Sequence, residues 1–204
     1  MNQQDQEIEV KFYLRDLPGL EEKIRAAGGT CVHARVHETN LRFDLPDSRL
    51  TSEGRVLRLR QDENAVLTYK GPSAVGSSVH IRQEIETTVG DFAAMQRILE
   101  ALGYRVAVRY EKWRTTYLLG QLEIVLDELP YGNFCEIEGP DAETIQSTAS
   151  LLGLDWDARI IESYLGLFWR LKASLNLAAE HLDFASFTGL KITTEDLLIR
   201  PADG

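Results

Sequence analysis

The sequence predicts an α+β fold, an eight-stranded antiparallel β-barrel with helices packed on the outside. Three observations carry this expectation. Apolar and polar residues alternate with a period of two through most of the first two thirds of the chain. The breaks between the alternating runs are mostly short turns, which favour antiparallel neighbours. The polar phase of nearly every run is ionic, built from Glu, Arg and Lys rather than Thr, Ser and Gln.

The candidate strands fall at 7–14, 39–45, 55–61, 65–70, 79–88, 106–118, 121–127 and 132–138. Pro46-Asp47, Asp62 to Asn64, Gly71-Pro72 through Gly76, Gly120 and Pro130 separate them. Three helices interrupt the strands. One spans 17–27, carries Leu17, Leu20 and Ile24 on one face, and stops at Gly28-Gly29. Asp91 has the place of an N-cap for a helix over 92–102 that Gly103 ends, and Asp141 and Gly153 bracket 142–152 in the same way. A fourth helix is expected from Glu162 to about His181, and a short tail, packed or partly loose, after Asp183. Glu-Ile-Glu occurs three times, at 7–9, 84–86 and 136–138, each time on a strand that leads into a helix, which reads as a weak internal repeat.

Composition removes several function classes. The chain has 204 residues, enough for one sizeable core, with 44% hydrophobic and 26% charged residues, an ordinary globular balance. Lys plus Arg is 22 and Asp plus Glu is 32, so the net charge, 22 − 32, is −10. Such an acidic chain is not expected to bind nucleic acid through a general basic field. Two cysteines, Cys31 and Cys135, make neither a disulfide framework nor a zinc site and suit a reducing compartment. The polar, acidic start is no signal peptide, and no window is apolar enough for a membrane span. A cytoplasmic protein without membrane partners is the expectation. No phosphate-binding Gly-rich loop or dinucleotide fingerprint is present, and His33, His37, His80 and His181 lack helical metal spacing. Ser77 and Ser78 sit in a Gly/Ser-rich turn rather than a nucleophile elbow. Any chemistry therefore rests on charged side chains carried by strands.

Those charges share one phase. Glu7, Glu9 and Lys11 oppose Ile8, Val10 and Phe12; Arg58 and Arg60 oppose Leu57 and Leu59; Arg82, Glu84 and Glu86 oppose Ile81 and Ile85. Lys112 and Arg114 flank Trp113, Glu123 and Asp127 oppose Ile124 and Leu126, and Glu136 and Glu138 flank Ile137. A solvated charged face is the plain alternative. Against it, acids at i and i+2 lie roughly 7 Å apart on one face and repel unless a cation sits between them. Closing the sheet with the charges inside answers this, since an eight-stranded barrel holds side chains or one small ligand. Arg58, Arg60, Lys70, Arg82, Lys112 and Arg114 would bind a multiply charged anion. Glu7, Glu9, Glu86, Asp127, Glu136 and Glu138 would hold Mg²⁺ or Mn²⁺, hard cations that take oxygen ligands and bridge phosphates.

Glu7-Ile8-Glu9-Val10-Lys11 resembles the Glu-x-Glu-x-Lys signature of the CYTH superfamily, the triphosphate tunnel metalloenzymes. The resemblance continues in order through Arg58-Leu59-Arg60, Thr68-Tyr69-Lys70-Gly71-Pro72, Glu84-Ile85-Glu86, Lys112-Trp113-Arg114 and Asp127 with Glu136-Ile137-Glu138. It implies a tunnel domain over 1–167, with 168–204 a helical extension and tail outside the common pattern. It also implies a small-molecule triphosphate as partner, Mg²⁺ or Mn²⁺ as cofactor, and a monomer or homodimer. Lys11, Glu9 and Glu138 are the implied catalytic residues. Members of the superfamily include triphosphatases and class IV adenylyl cyclases. Hydrolysis of a triphosphate is the first expectation. A cyclase making cyclic AMP from ATP is the second, and a binding module without turnover the third. Tyr69, Trp113 and Phe134 are the aromatic candidates for an adenine pocket, although Tyr69 and Trp113 fall on the outward phase.

Overall fold

The computed structural model describes residues 6–73 and 78–204; the predicted turn residues 74–76 and Ser77 lie outside this range. Among the described residues, eight strands close into one ring. They are β1 (Gln6–Leu14), β2 (Thr30–Asp44), β3 (Val56–Gln61), β4 (Ala65–Lys70), β5 (His80–Val89), β6 (Arg105–Leu119), β7 (Leu122–Leu129) and β8 (Gly132–Glu138). The order around the ring is β1-β5-β4-β3-β2-β6-β7-β8, and β8 returns antiparallel to β1 with Lys11 opposite Glu136. At the β7–β8 turn Gly132 has φ +143, and a Cβ there would stand 2.6 Å from the Tyr13 ring, so only glycine lets β8 start against β1.

The outward phase is apolar, as alternation requires, and helices cover it. The helices are α1 (Leu17–Ala26), α2 (Arg49–Ser52), α3 (Phe92–Ala101), α4 (Ala142–Leu151) and α5 (Tyr164–Leu175), of which α1, α3 and α4 pack on the outward phase. Leu20 and Ile24 of α1 and Ile145 and Ala149 of α4 pack with Val10, Phe12, Ile124 and Ile137 of the barrel wall. Leu99 of α3 packs on Leu41, Phe43 and Leu59. Asp91 and Asp141 accept the backbone N–H groups of Ala94 and Thr144 as N-caps, each worth about 1 kcal/mol. None of these helices is long and apolar enough to cross a membrane.

Three sequence expectations need correction. Strand β2 begins at Thr30, not at 39, because 30–37 carry no clean alternation. Residues 30–38 pair with β6 but have no register partner on β3, and most of their side chains stay in solvent. The one-turn α2 was not expected; Asp44 builds it by accepting the N–H groups of Leu50 and Thr51. Helix α5 ends at Leu175 rather than near His181, since Asn176 turns left-handed at φ 51 and Leu177 N–H bonds back to the Lys172 carbonyl.

The tail packs on the barrel at several points. Leu182 exchanges backbone hydrogen bonds with Arg109 and Glu111, Leu197 is buried, and Asp203 accepts from the N–H groups of Arg15 and Asp16. At this end of the barrel the inward phase turns apolar. Val108, Tyr110, Leu129 and Phe134 join Leu165, Phe168 and Leu171 of α5 in one cluster. The segment that follows residue 163 thus shares a core with the barrel.

Candidate active site

The lumen encloses a cavity of about 820 Å³, lined by residues from every strand and by Ser163, Tyr164 and Leu165 at the start of α5. Eight bases line it: Lys11, Arg42, Arg58, Arg60, Lys70, Arg82, Lys112 and Arg114. Ten acids line it too, so among the described residues the wall is 8 − 10 = −2 in formal charge. A wall of this kind does not capture a polyanion by excess positive charge. Its bases must be engaged locally, and its acids need cations.

The bases and acids are interleaved by register. Glu7 accepts from Lys70 Nζ at 2.6 Å and from Arg82 Nε at 2.9 Å. Burial opposes its ionisation, but Lys70 and Arg82 hold its pKa at about 2. Lys11 Nζ lies 2.6 Å from Glu136 Oε1, and Arg114 Nη2 donates to Glu136 Oε2 at 2.7 Å. Buried as they are, the two partners reinforce each other: Glu136 is held well below the usual carboxylate range and Lys11 above the usual lysine range. Arg58 donates to Thr68 Oγ1, which donates on to Glu86, and Arg60 Nη2 stands 3.9 Å from Glu86. Arg58 Nε is buried without a hydrogen-bond partner, an unfilled donor in the cavity wall.

Every predicted site residue sits on the lumen phase, and most of the acids already face basic partners there. Asp127 is fully buried and accepts from Lys112 Nζ (3.1 Å), Arg114 Nε (2.7 Å) and the Tyr164 hydroxyl (2.9 Å). Glu86 faces Thr68, Arg58 and Arg60. Glu7, Glu9, Glu84, Glu123 and Glu138 lie close enough to repel one another. Burial, then the like charges of Glu7, Glu123, Glu9 and Glu84, push the Glu138 pKa up to about 8. Glu138 keeps an exposed side, where solvent moderates that repulsion. Glu84 is also raised, by burial and by Glu7 against the opposing pull of Lys70. Glu9 is held low by Lys11 and by His80, whose Nδ1 is 3.4 Å away, against burial and Glu136.

This donor set fits a hard divalent cation: carboxylate oxygens in mutual repulsion, with no Lys or Arg ion-paired to Glu138 among the described residues. Among the described residues no three Asp, Glu, His or Cys groups are gathered into a finished cage, because lysine and arginine hold Glu7 and Glu136.

Sequence reasoning missed Glu38, Asn40, Arg42, Tyr110 and Tyr164. The β2 residues were within reach, since Glu38, Asn40 and Arg42 alternate with Thr39, Leu41 and Phe43. Glu38 is 1% exposed and lies 3.5 Å from Lys112, 3.8 Å from Arg60 and 3.8 Å from Arg114. Tyr164 gave no signal, because an aromatic residue on an apolar helix reads as core. The aromatic candidates for an adenine pocket do not open on the lumen. Phe134 is fully buried between Tyr13, Tyr131 and Tyr164, and Arg35 and His37 stack on Trp113. Tyr69 is absent from the cavity lining.

Comparison with known proteins adds the following. The CYTH domain family matches residues 5–151. A Methanocaldococcus jannaschii protein named as a candidate adenylate cyclase is 28% identical over 134 residues, which is 65% of this chain and 75% of that one. The structure of a candidate adenylate cyclase from Vibrio parahaemolyticus superposes with a TM-score of 0.72 at 22% identity, over 79% of this chain and 96% of that chain. A Hippeastrum protein, described as a candidate adenylyl cyclase with dominant triphosphatase activity, matches with a TM-score of 0.59 at 18% identity, over 80% and 95% of the two chains.

Proposed function

The chain belongs to the CYTH domain family, and on that premise we propose that it hydrolyses a triphosphate inside its barrel with the help of a divalent cation. The observation that carries this reading is the lumen itself: eight Lys and Arg side chains on its wall, Arg58 and Arg60 each with a buried Nε–H that makes no hydrogen bond, beside Glu138, which the like charges of Glu7, Glu123, Glu9 and Glu84 crowd. A polyphosphate with its counter-cation would engage both sets of charges.

Arg58, Arg60, Lys70, Arg82, Lys112 and Arg114 would bind the phosphate oxygens, the arginines through planar forks. Being held in place beforehand, they stabilise charge as it redistributes without reorganising. Glu7, Glu9, Glu136 and Glu138 are the residues to hold Mg²⁺ or Mn²⁺, which would neutralise phosphate charge and acidify water there. Lys11, which stands between Glu9 and Glu136, would orient the terminal phosphate. Asp127 and Glu86 take the role of anchoring Lys112, Arg114, Arg58 and Arg60. In the reaction water adds to the terminal phosphorus, the bond to the bridging oxygen breaks, and orthophosphate leaves with the proton balance closed by water's two protons.

A cyclase is the second reading, favoured by the names of the Methanocaldococcus and Vibrio relatives. A shared fold does not choose between the two. Against cyclisation, none of the three aromatic candidates opens on the lumen, and the ribose would need in-line holding. Product analysis separates them. With Mg²⁺ and then Mn²⁺, tripolyphosphate and ATP should yield orthophosphate, and a chelator should abolish the yield. Cyclic AMP with matching pyrophosphate, and little cleavage of tripolyphosphate, would replace hydrolysis by cyclisation.

A further inference from the structure

The first residue of α5 lies beyond the stretch that the family model matches, yet it forms part of the lumen wall. The Tyr164 hydroxyl donates to Asp127 Oδ2 at 2.9 Å, the same oxygen that accepts from Lys112 Nζ at 3.1 Å and Arg114 Nη2 at 2.6 Å. The Tyr164 ring also lies under two ammonium groups, 4.6 Å from Lys11 Nζ and 5.5 Å from Lys112 Nζ.

The side chain is fixed from several directions. Ser163 caps α5 by accepting from the Gly166 N–H, the Tyr131 hydroxyl donates to the Tyr164 carbonyl, and Phe134 meets the ring edge-on at 5.1 Å. A ring face attracts a cation through its quadrupole and so holds an ammonium in place without cancelling its charge. Lys11 and Lys112 therefore keep positive charge to offer an anion, while their position is set from below. The hydroxyl does complementary work, because it fixes the carboxylate that Lys112 and Arg114 share.

Building on the triphosphate reading, we propose that Tyr164 is a positioning residue of this tunnel, which preorganises Lys11, Lys112 and Asp127 for the phosphates and makes the segment after the family domain part of the active site.

The test uses the full chain with tripolyphosphate and Mg²⁺. Binding is followed by calorimetry, turnover by orthophosphate release, and folding by thermal melting. Tyr164→Phe, which keeps the ring and loses one hydrogen bond, should lower kcat about 3- to 10-fold with a smaller change in KM. Tyr164→Leu, which loses the ring as well, should lower kcat/KM by about a further 5-fold. In an Asp127→Asn background Tyr164→Phe should cost nothing more, as expected of two residues acting as one unit. Full additivity overturns the proposal, as does Tyr164→Phe with the parent's kcat and KM, whatever its melting temperature. If Asp127→Asn does not fold, the comparison of Tyr164→Phe with Tyr164→Leu decides, and equal losses overturn the role of the ring. A parent that binds no tripolyphosphate overturns the triphosphate reading and this proposal with it. A parent that binds while both Tyr164 variants are silent overturns this proposal alone.

Discussion

Glu38→Gln removes one charge from the lumen wall without changing shape. The carboxylate is 1% exposed, and Lys112, Arg60 and Arg114 stand 3.5, 3.8 and 3.8 Å from it. At an effective dielectric constant near 20 each attraction is roughly 4 kcal/mol, and most of the sum is offset by the cost of burying the charges. The net is visible in the carboxyl itself: against the penalty of burial, Lys112, Arg114, Arg60 and Arg58 hold its pKa at about 2, compared with an ordinary value of 4.5. That difference corresponds to roughly 3 kcal/mol of folding stability. The folded value lies below the unfolded one, so this stability is present above pH 4.5 and is lost as the pH falls toward 2. Urea unfolding should therefore separate parent and Glu38→Gln by about 3 kcal/mol at pH 7 and by about 2 kcal/mol at pH 3.5. The variant leaves three cations short of a counter-charge, so tripolyphosphate should raise its melting temperature by more than it raises the parent's. Equal stability at pH 7, or a gap that widens on acidification, would refute the reasoning.

Two further outcomes follow from the same wall. Arg60→Ala should cost roughly 2–4 kcal/mol in kcat/KM for tripolyphosphate, the scale of a preorganised electrostatic contact; parent-like kinetics would reduce Arg60 to the partner of Asp62, 3.2 Å away. Burial and the like charges around Glu138 raise its pKa to about 8, so the advantage of its protonated form, present below pH 4.5, is lost as the pH rises from there to about 8. Since a cation needs the carboxylate, Mg²⁺ affinity should climb by up to about tenfold per pH unit below that point and then level off. Glu138→Gln should flatten the climb, and a flat profile in the parent would count against Glu138 as a ligand.

The ring of strands was legible because alternation and ionic phase are local properties. Glu7, Glu9 and Lys11 cannot share a face with Arg58 and Arg60 across a closed sheet without the sequence showing charges at every second position. The same logic failed where the lumen is apolar. Phe134 and Tyr110 stand on the charged phase but pack against α5, a partner distant in sequence that no strand pattern announces. Asp127 looked like its neighbouring acids on the page; only its three donors distinguish it from a solvent-facing carboxylate. Glu38 escaped because the expected strand began one residue later, at Thr39, where the irregular first half of β2 gives way to clean alternation.

That first half of β2 also bears on colloidal behaviour. Residues 30–38 offer backbone donors and acceptors on the side where β3 does not reach, a potential template for another chain to add a strand. Val32, 41% exposed, would add an apolar contact to such an encounter. The stretch carries its own deterrents. Register breaks between Cys31 and His33 and between His33 and Val36 bend it out of the flat, regular geometry that strand addition needs. Arg35, clasped to Glu128 and laid over Trp113, puts a charge along it. Straightening the ribbon or neutralising Arg35 would expose a sticky rim on a protein whose closed sheet otherwise pairs strand with strand all the way round.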